Sequence, residues 1–521
     1  MSKEINIFSN FNISNICSIL KDKIDFKIND YSYSEIFQQI ETNKKLDVFN
    51  IFFINVDNYE VADIKAISLK VLKKNLDCLI IPISIIDSSS SFKIINKDQK
   101  SELNKIRILE NFFYKERKKN KINVLNFFSV ASKFEVKVFN YKNWFLYKNP
   151  FSKVFEQYLS NYFYNYIQIH NHKRKKAVFI DLDDTLWGGE IAELGFKNIK
   201  IGNEDPLSEA HYVLQKTLKN LKDTGIILGI ISKNKEKIAL EAFKNKKMYL
   251  KKNDFAGFKI NFKKKSENIV DLCKELNIST DSVVFLDNSY YERNEVRSKL
   301  PEVLVPELHD EPYNYFNDLL SSSLVNFIKL SKEDVLRYQS YQKPKNENAK
   351  KISHIEWLKS LNMKCTIEKI NIENLERCAQ MQERINQINL KSKRLSINNL
   401  KKNLVKKNLD TYVFSLKDKY ADLGIVGFAT IKKLNETITL DDFLMSCRSF
   451  GRNLEQNIFN FFAKKYIKDK IKKINVELIK SKKNMLCQEI LDKNLTKVGK
   501  DRYIIFKKNI KKIPITNYNK T

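Results

Sequence analysis

A chain of 521 residues is too long for one hydrophobic core and predicts about three domains, with 43% hydrophobic and 12% aromatic residues to fill them. Mean hydropathy is −0.43, and no run of about 18 uncharged apolar residues offers a bilayer-spanning helix, so a cytoplasmic protein is expected. The formal charge of +31 comes overwhelmingly from lysines spread end to end in an Asn- and Ile-rich chain; that is compositional bias, so nucleic acid is not the expected partner, whereas an acidic partner is favoured.

The chain opens on Met1-Ser2-Lys3-Glu4, without the basic and apolar runs of a signal peptide. Residues 1–150 alternate short apolar runs with amphipathic stretches. Phe49 to Val56 and Leu79 to Ile83 read as buried strands, and strands alternating with helices predict an α/β layer. Asp87-Ser88-Ser89-Ser90-Ser91 reads as the loop after them. Phe151 to His170 carries aromatics at helical spacing and predicts a connecting helix. Lys173-Arg174-Lys175-Lys176 then marks a boundary.

Residues 173–320 repeat strand and helix. Ala177 to Ile180, Ile226 to Ile231 and Val283 to Leu286 are predicted strands, and Glu236 to Phe243 a helix, in a doubly wound parallel sheet. Residues 321–362 read as a polar helical linker, broken at Lys343-Pro344-Lys345-Asn346-Glu347-Asn348. A third region, 363–512, has strands near Tyr412 to Leu416, Ile425 to Ile431 and Thr437 to Leu444, the last leading into a helix from about Asn453. Seven cysteines (Cys17, Cys78, Cys273, Cys365, Cys378, Cys447 and Cys487) are scattered without a C-x-x-C pair. Neither disulfides nor structural zinc are expected, and most of the cysteines should be buried small hydrophobes.

The chemistry concentrates in the middle region, where four segments fall at or beside predicted strand ends. An open α/β sheet places its ligand crevice there. In Asp181-Leu182-Asp183-Asp184-Thr185 the strand breaks into a turn, so Asp181 and Asp183 can face one site. Two carboxylates so close repel unless a cation lies between them, and hard oxygen ligands suit Mg²⁺. Asp181 can attack phosphorus to form an aspartyl-phosphate, and Asp183 can protonate the leaving group and later activate water. Ser232, in Ser232-Lys233-Asn234, offers a hydroxyl beside a helix N-terminus, suited to a phosphate. Lys265 offers a cation for the transferring group. Asp287 and Asn288, at another strand end, can complete the metal site.

Together these segments resemble the four motifs of the haloacid dehalogenase (HAD) superfamily across about residues 175–310. Asp181 and Ser232 are about 50 residues apart, and Ser232 and Lys265 about 33. Neither gap has room for a sizeable cap domain, so an open crevice is expected, with only Trp187 to Gly202 as a possible small flap.

Flanking residues narrow the resemblance. Trp187-Gly188-Gly189 after the first motif, Ser232-Lys233-Asn234, Asn261-Phe262-Lys263-Lys264-Lys265-Ser266-Glu267-Asn268 and Glu292-Arg293 are similar to FkbH-type proteins. So are Asn386-Gln387-Ile388-Asn389-Leu390, the run from Asp418 to Gly427, the run from Ser446 to Arg452, and Lys483-Asn484. The resemblance implies a capless, Mg²⁺-dependent HAD domain, an SGNH-like α/β domain over 1–150, and a GNAT-like α+β domain over 363–512. The Gly-Asp-Ser nucleophile usual in SGNH hydrolases is absent, with Ser9-Asn10 in its place, so the first domain reads as structural or as a recognition module. The fourth motif departs from the family's Asp-Asp-Asn-Pro, and Asn453 stands where a small residue is expected.

The resemblance further implies glyceryl transfer from 1,3-bisphosphoglycerate through a thioester to an acyl carrier protein, with phosphate removed on the way. In that reading Arg448, Gly451 and Arg452 face a cofactor pyrophosphate, and Cys447, at a strand-to-helix turn, is either the thiol or a buried structural cysteine. Carrier proteins are acidic, so the lysine surplus would favour docking. Two other readings stay open: a phosphatase and acyltransferase of sugar or surface-glycan pathways, and an inactive basic scaffold.

Overall fold

The computed structural model describes residues 4–520 except 33–35, 43–47, 75, 86–101, 117–121, 133, 135, 172–173, 323, 327–353, 386, 393–394, 396, 420–421, 435, 447–448, 450–451, 469 and 482–483. The expected loop at 87–91 and the break at 343–348 lie outside the described residues. The chain divides into two compact units, Met1–Gln168 and Ile169–Thr521.

The first unit is built on five parallel strands, β1 (Glu4–Ser9), β2 (Lys27–Tyr31), β3 (Phe49–Asn55), β4 (Cys78–Ile83) and β5 (Ile122–Val124), in the order β2-β1-β3-β4-β5. β3 and β4 are buried along their whole length, as a parallel sheet covered on both faces requires. One face carries Ile16, Cys17 and Leu20 with Phe155, Leu159, Phe163 and Ile167. The last four recur every fourth residue along the helix Lys153–His170, so the expected connecting helix lays a stripe onto this sheet. The other face takes Phe8, Phe52, Ile67, Val71, Leu109 and Phe113.

In the second unit, four parallel strands lie in the order β8-β7-β6-β9. They are β6 (Ala177–Ile180), β7 (Ile227–Ser232), β8 (Gly257–Ile260) and β9 (Val283–Leu286). The chain order reverses between β6 and β9, the switch point at which a doubly wound sheet opens its crevice. Val178, Ile180, Leu228 and Ile230 face one core, and Phe179, Ile227 and Ile231 the other. At Gly229 an added Cβ would meet Phe179 Cδ1 at 2.6 Å, so glycine lets that ring close over β7. The helix Pro206–Asp223 covers one face, started by Pro206 and by the Asp205 side chain accepting from Ser208 N–H.

The same unit holds an eight-stranded mixed sheet in the order β15-β16-β14-β13-β12-β11-β10-β17. Its strands are β10 (Met363–Lys369), β11 (Leu409–Lys417), β12 (Asp422–Leu434), β13 (Thr437–Met445), β14 (Ile474–Glu477), β15 (Thr496–Lys497), β16 (Arg502–Ile505) and β17 (Ile515–Lys520). β13 and β14 pair in parallel only from Ile438 to Leu440. Beyond that point Ile388–Leu390 lies between them. Leu390 N–H donates to Phe443 O, Met445 N–H to Ile388 O, and Ile479 N–H to Leu390 O. Among the described residues no helix is long and apolar enough to cross a membrane.

A register shift in β12–β13 buries Asp442, which accepts from Gln382 Nε2 at 2.5 Å and from Phe443 N–H. Burial, against those hydrogen bonds, pushes its pKa up to about 7. The folded chain therefore keeps a proton that an unfolded chain releases near pH 4, and folded stability falls as pH rises from about 4 to about 7. In thermal melts at about pH 5 and about pH 8, wild type should lose more stability over that interval than Asp442→Asn; equal losses would show that Asp442 does not titrate as the fold implies.

Candidate active site

Asp181 follows β6 directly, and its N–H donates to Leu286 O of β9 at 3.0 Å. The chain then turns. Thr185 and Leu186 N–H donate to Leu182 O, Asp184 adopts φ 51°, and the Asp184 carboxylate accepts from Gly189 N–H at 2.6 Å. An Asp tolerates this left-handed backbone better than most residues. The turn ends the strand and leaves Asp181 and Asp183 at its carboxyl edge.

The ends of β6 and β9 converge on Lys265, the first residue of the helix Lys265–Leu276. Its Nζ lies 2.9 Å from Asp181 Oδ2 and 2.5 Å from Asp287 Oδ2, and Asp287 follows β9. Lys265 is 3% exposed and Asp287 fully buried. Burial works against the ammonium, but the charges of Asp181 and Asp287 outweigh it and raise the Lys265 pKa. Burial first, and the Asp181 charge second, push Asp287 upward against the pull of Lys265. One ammonium cannot compensate two carboxylates, so ionisation of the second is resisted.

Asp183 faces other partners. Its Oδ1 accepts from Trp187 Nε1 at 2.9 Å and Ile191 N–H at 3.1 Å, and its Oδ2 from Asn234 Nδ2 at 2.8 Å. Burial raises its pKa more than the Ile191 and Trp187 hydrogen bonds lower it. Ser232 ends β7 at this edge and is 2% exposed. Asn288 is tied to Thr185 in both directions: its N–H donates to Thr185 Oγ1, and Thr185 Oγ1 donates to its side-chain oxygen, each at 3.1 Å. The amide expected to face a metal thus braces the first motif's turn against the fourth's.

Several residues with positional roles carried no assignment in the sequence. Asn234 and Trp187 orient Asp183. Buried His211 meets Thr185 O through Nδ1 at 3.0 Å, and burial lowers its pKa. Arg293 donates to Asp287 O at 2.9 Å and Asn288 O at 2.7 Å. Asn234, Trp187 and Arg293 sat within quoted motifs; His211 had no local signal. The expected flap is fastened down: Trp187 is fully buried, and Gly188 and Lys200 exchange backbone hydrogen bonds of 3.0 and 2.8 Å.

Among the described residues, no group of three or more His, Cys, Asp or Glu side chains is arranged to hold a metal ion. Mg²⁺ does not need one, since it binds through one or two carboxylates and keeps several waters. The donors at this edge are hard oxygens, and buried Asp181 Oδ1 has no hydrogen-bond partner. Asp181, Asp183 and Asp287 against Lys265 formally leave two negative charges uncompensated, the charge of one divalent cation. These residues fit such an ion.

In the eight-stranded domain, Cys447, Arg448 and Gly451 lie outside the described residues, as do Phe450, Asn386 and Lys483. Arg452 is turned onto buried Asp418, with Nε and NH2 3.0 and 2.9 Å from Oδ2. Asn453 has φ 57° and precedes the helix Leu454–Tyr466; a left-handed position of this kind accepts Asn. Asn484 is fully buried, donating to Asn389 O at 3.0 Å and Ile479 O at 2.9 Å and accepting from Ser481 N–H. The two motif segments therefore knot the gap between β13 and β14. Cys17, Cys78, Cys273, Cys365, Cys378 and Cys487 are all buried.

No protein-family model and no curated protein matches the chain. Among solved structures it is similar to the N-terminal part of the protein BF1531 from Bacteroides fragilis, which contains a phosphatase domain and is complexed with Mg. The TM-score is 0.57 at 23% identity, over 63% of this chain and 94% of that one. That likeness shows a shared fold. A spermidine N-acetyltransferase from Vibrio cholerae aligns at 10% identity over 28% of this chain and 95% of its own, with a TM-score of 0.23. The ribosomal-protein-S18-alanine N-acetyltransferase from Escherichia coli aligns at 13% identity over 27% and 90%, with a TM-score of 0.20. Likenesses that low bear no weight here.

Removing the ammonium strands two buried carboxylates. Lys265→Met should cost this domain about 3–5 kcal/mol in urea unfolding, and Asp287→Asn added to it should recover part of the loss. A cost within about 0.5 kcal/mol would mean that the trio is not the anchor of this edge.

Proposed function

We propose that the chain is a Mg²⁺-dependent phosphoryl-transfer enzyme of the HAD type, with Asp181 as covalent nucleophile. The observation that carries this reading is Asp181 itself, at the switch point of a doubly wound sheet, with one oxygen on Lys265 and the other buried and unpartnered. The fold shared with a Mg-complexed structure that contains a phosphatase domain supports it.

In the proposed reaction an Asp181 oxygen attacks phosphorus. An Asp181 O–P bond forms, the P–O bond to the leaving group breaks, and Asp183 supplies a proton to the departing oxygen. Water then attacks the phosphorus, Asp183 takes its proton, and phosphate leaves with Asp181 restored. Lys265 stands beside Asp181 to neutralise developing charge, and Ser232 can hold a phosphoryl oxygen at the helix start. Asp181 would hold Mg²⁺ through its unpartnered Oδ1, with Asp183 and Asp287 adding negative charge nearby; the Asn288 side-chain oxygen would have to leave Thr185 to join it. When bound the ion would supply Lewis-acid polarisation of the phosphoryl group.

The finer reading is that of an FkbH-like protein. There the 1–150 region is SGNH-like, the 363–512 region is GNAT-like, and the substrate is 1,3-bisphosphoglycerate. A thiol, with Cys447 the candidate, attacks the acyl-phosphate carbon; a C–S bond forms, the C–O bond breaks and phosphate departs. The glyceryl group passes to the thiol of an acidic acyl carrier protein, and the Asp181 site removes the remaining phosphate ester. Arg448, Gly451 and Arg452 would neighbour the donor; the Arg452–Asp418 pair favours a positioning role for Arg452.

The 521-residue chain with Mg²⁺, 1,3-bisphosphoglycerate and carrier protein, followed by intact-mass measurement, should show a glyceryl adduct on wild type that is missing in Cys447→Ala. Asp181→Asn should slow hydrolysis of a simple phosphomonoester by at least about 1,000-fold, the scale of losing a covalent nucleophile. Turnover at the wild-type rate would refute the assignment of Asp181.

A further inference from the structure

Six of the twenty large apolar side chains that stand exposed among the described residues fall between Val136 and Val154, within the first unit. They are Val136, Tyr141, Phe145, Leu146, Tyr147 and Val154. Scattered singly, such residues need no explanation. Gathered on one segment, they mark a surface that meets something apolar.

The segment has a fixed shape. Phe139 and Phe151 pair as an antiparallel bridge, Asn140 N–H donates to Pro150 O at 2.7 Å, and Ser152 N–H donates to Val138 O at 2.9 Å. These bonds close a loop around the helix Tyr141–Tyr147, which the Asn140 side chain caps by accepting from Asn143 N–H. Lys148, with φ 53°, ends the helix in the left-handed conformation common at such ends. Trp144 is buried and edge-on to Phe11 at 6.5 Å, and Lys148 O accepts from Asn12 N–H at 2.9 Å. One side of the helix is thereby fastened to the first unit's core. Phe145, Leu146 and Tyr147, which are 66%, 59% and 62% exposed, face solvent.

From Val136 to Phe155 the sequence holds four lysines and no acidic residue. Lys137, Lys142, Lys148 and Lys153 are all exposed. Glu156, the next acid along the chain, is buried and accepts from Asn149 Nδ2 at 2.7 Å. Lys148 Nζ stands over the Trp144 and Phe145 rings, at 5.1 and 5.8 Å, so cationic and apolar groups share one surface. That chemistry matches an anionic lipid surface, where apolar side chains enter the headgroup boundary and lysines meet the anionic headgroups. Shape separates this partner from a protein. Three consecutive helical residues spread over about 200° of the helix circumference, so no single flat face carries them. A fluid interface can surround them on every side, whereas a protein would need a socket. A second copy would set lysines against lysines across a self-complementary contact.

We propose that the loop closed by Phe139 and Phe151 docks onto an anionic lipid surface, entered by Phe145, Leu146 and Tyr147 and held by the four lysines. The docking is interfacial, with no segment crossing the bilayer, and it does not depend on the phosphoryl-transfer reading.

The test is co-sedimentation of the 521-residue chain with vesicles of phosphatidylcholine alone, and with vesicles of equal parts phosphatidylcholine and phosphatidylserine, at about 0.15 M salt. Wild type should bind the anionic vesicles at least about tenfold more tightly than the neutral ones. Phe145→Ser with Leu146→Ser leaves the charge unchanged and should weaken that binding by about 10- to 100-fold, the value of two apolar side chains returned to water. Lys142→Gln with Lys153→Gln should weaken it about 25-fold, at about fivefold for each lysine. All four side chains are exposed, so both variants should melt with wild type. The proposal is overturned if wild type ignores the anionic vesicles or binds both kinds equally. It is also overturned if binding survives Phe145→Ser with Leu146→Ser, because the chain's overall charge of +31 would then suffice. A wild type that leaves vesicles alone, but loses self-association or binding to an acidic acyl carrier protein through those two changes, would assign the loop to that partner and overturn the lipid reading.

Discussion

A lysine ammonium held out of water between two carboxylates organises the carboxyl edge of the four-stranded sheet. Moving such charges from water costs several kcal/mol each, repaid only by short contacts and satisfied surroundings. Lys265 also begins a helix, where the backbone dipole favours anions, so Asp181 and Asp287 must hold it there. Neighbouring contacts keep those carboxylates in place: Leu286 O takes the Asp181 N–H, and Arg293 grips the carbonyls of Asp287 and Asn288. The trio retains a negative excess and an unpartnered Asp181 oxygen.

Among the described residues, no sizeable domain is inserted between the segments that carry this edge. Between Asp181 and Ser232 the chain builds the helix Pro206–Asp223 and a segment fastened by Gly188 and Lys200, and between Ser232 and Lys265 one short helix and an edge strand. The ion pair of Lys233 with Glu292 crosses the end of the nucleophile's strand.

The eight-stranded domain solves a different problem. Where β13 and β14 part, backbone groups would be left without partners, and Ile388–Leu390 supplies them. Asn484, saturated with hydrogen bonds, locks that insert. These resemblance-bearing residues thus have a structural duty that motif reading does not disclose, because an Asn in a motif looks the same whether it touches a ligand or a backbone carbonyl.

Much of the fold was legible in the sequence. Continuous apolar runs marked β3, β4, β6, β7 and β9, but not the short or polar-interrupted β1, β2, β5 and β8, and aspartates following such runs marked the edge, because burial on both faces and strand termination are local properties of the chain. Asp181, Lys265 and Asp287 could be named as candidates, yet only the fold brought them within hydrogen-bonding reach across more than a hundred residues of chain. The tertiary structure alone sent Asp183 to Asn234, Asn288 to Thr185 and Arg452 to Asp418. It alone left Glu292 with an unsatisfied oxygen. Residue type sets what a side chain is able to bind; which partner it finds depends on distances between elements remote in sequence, and those are fixed only when the sheets pack.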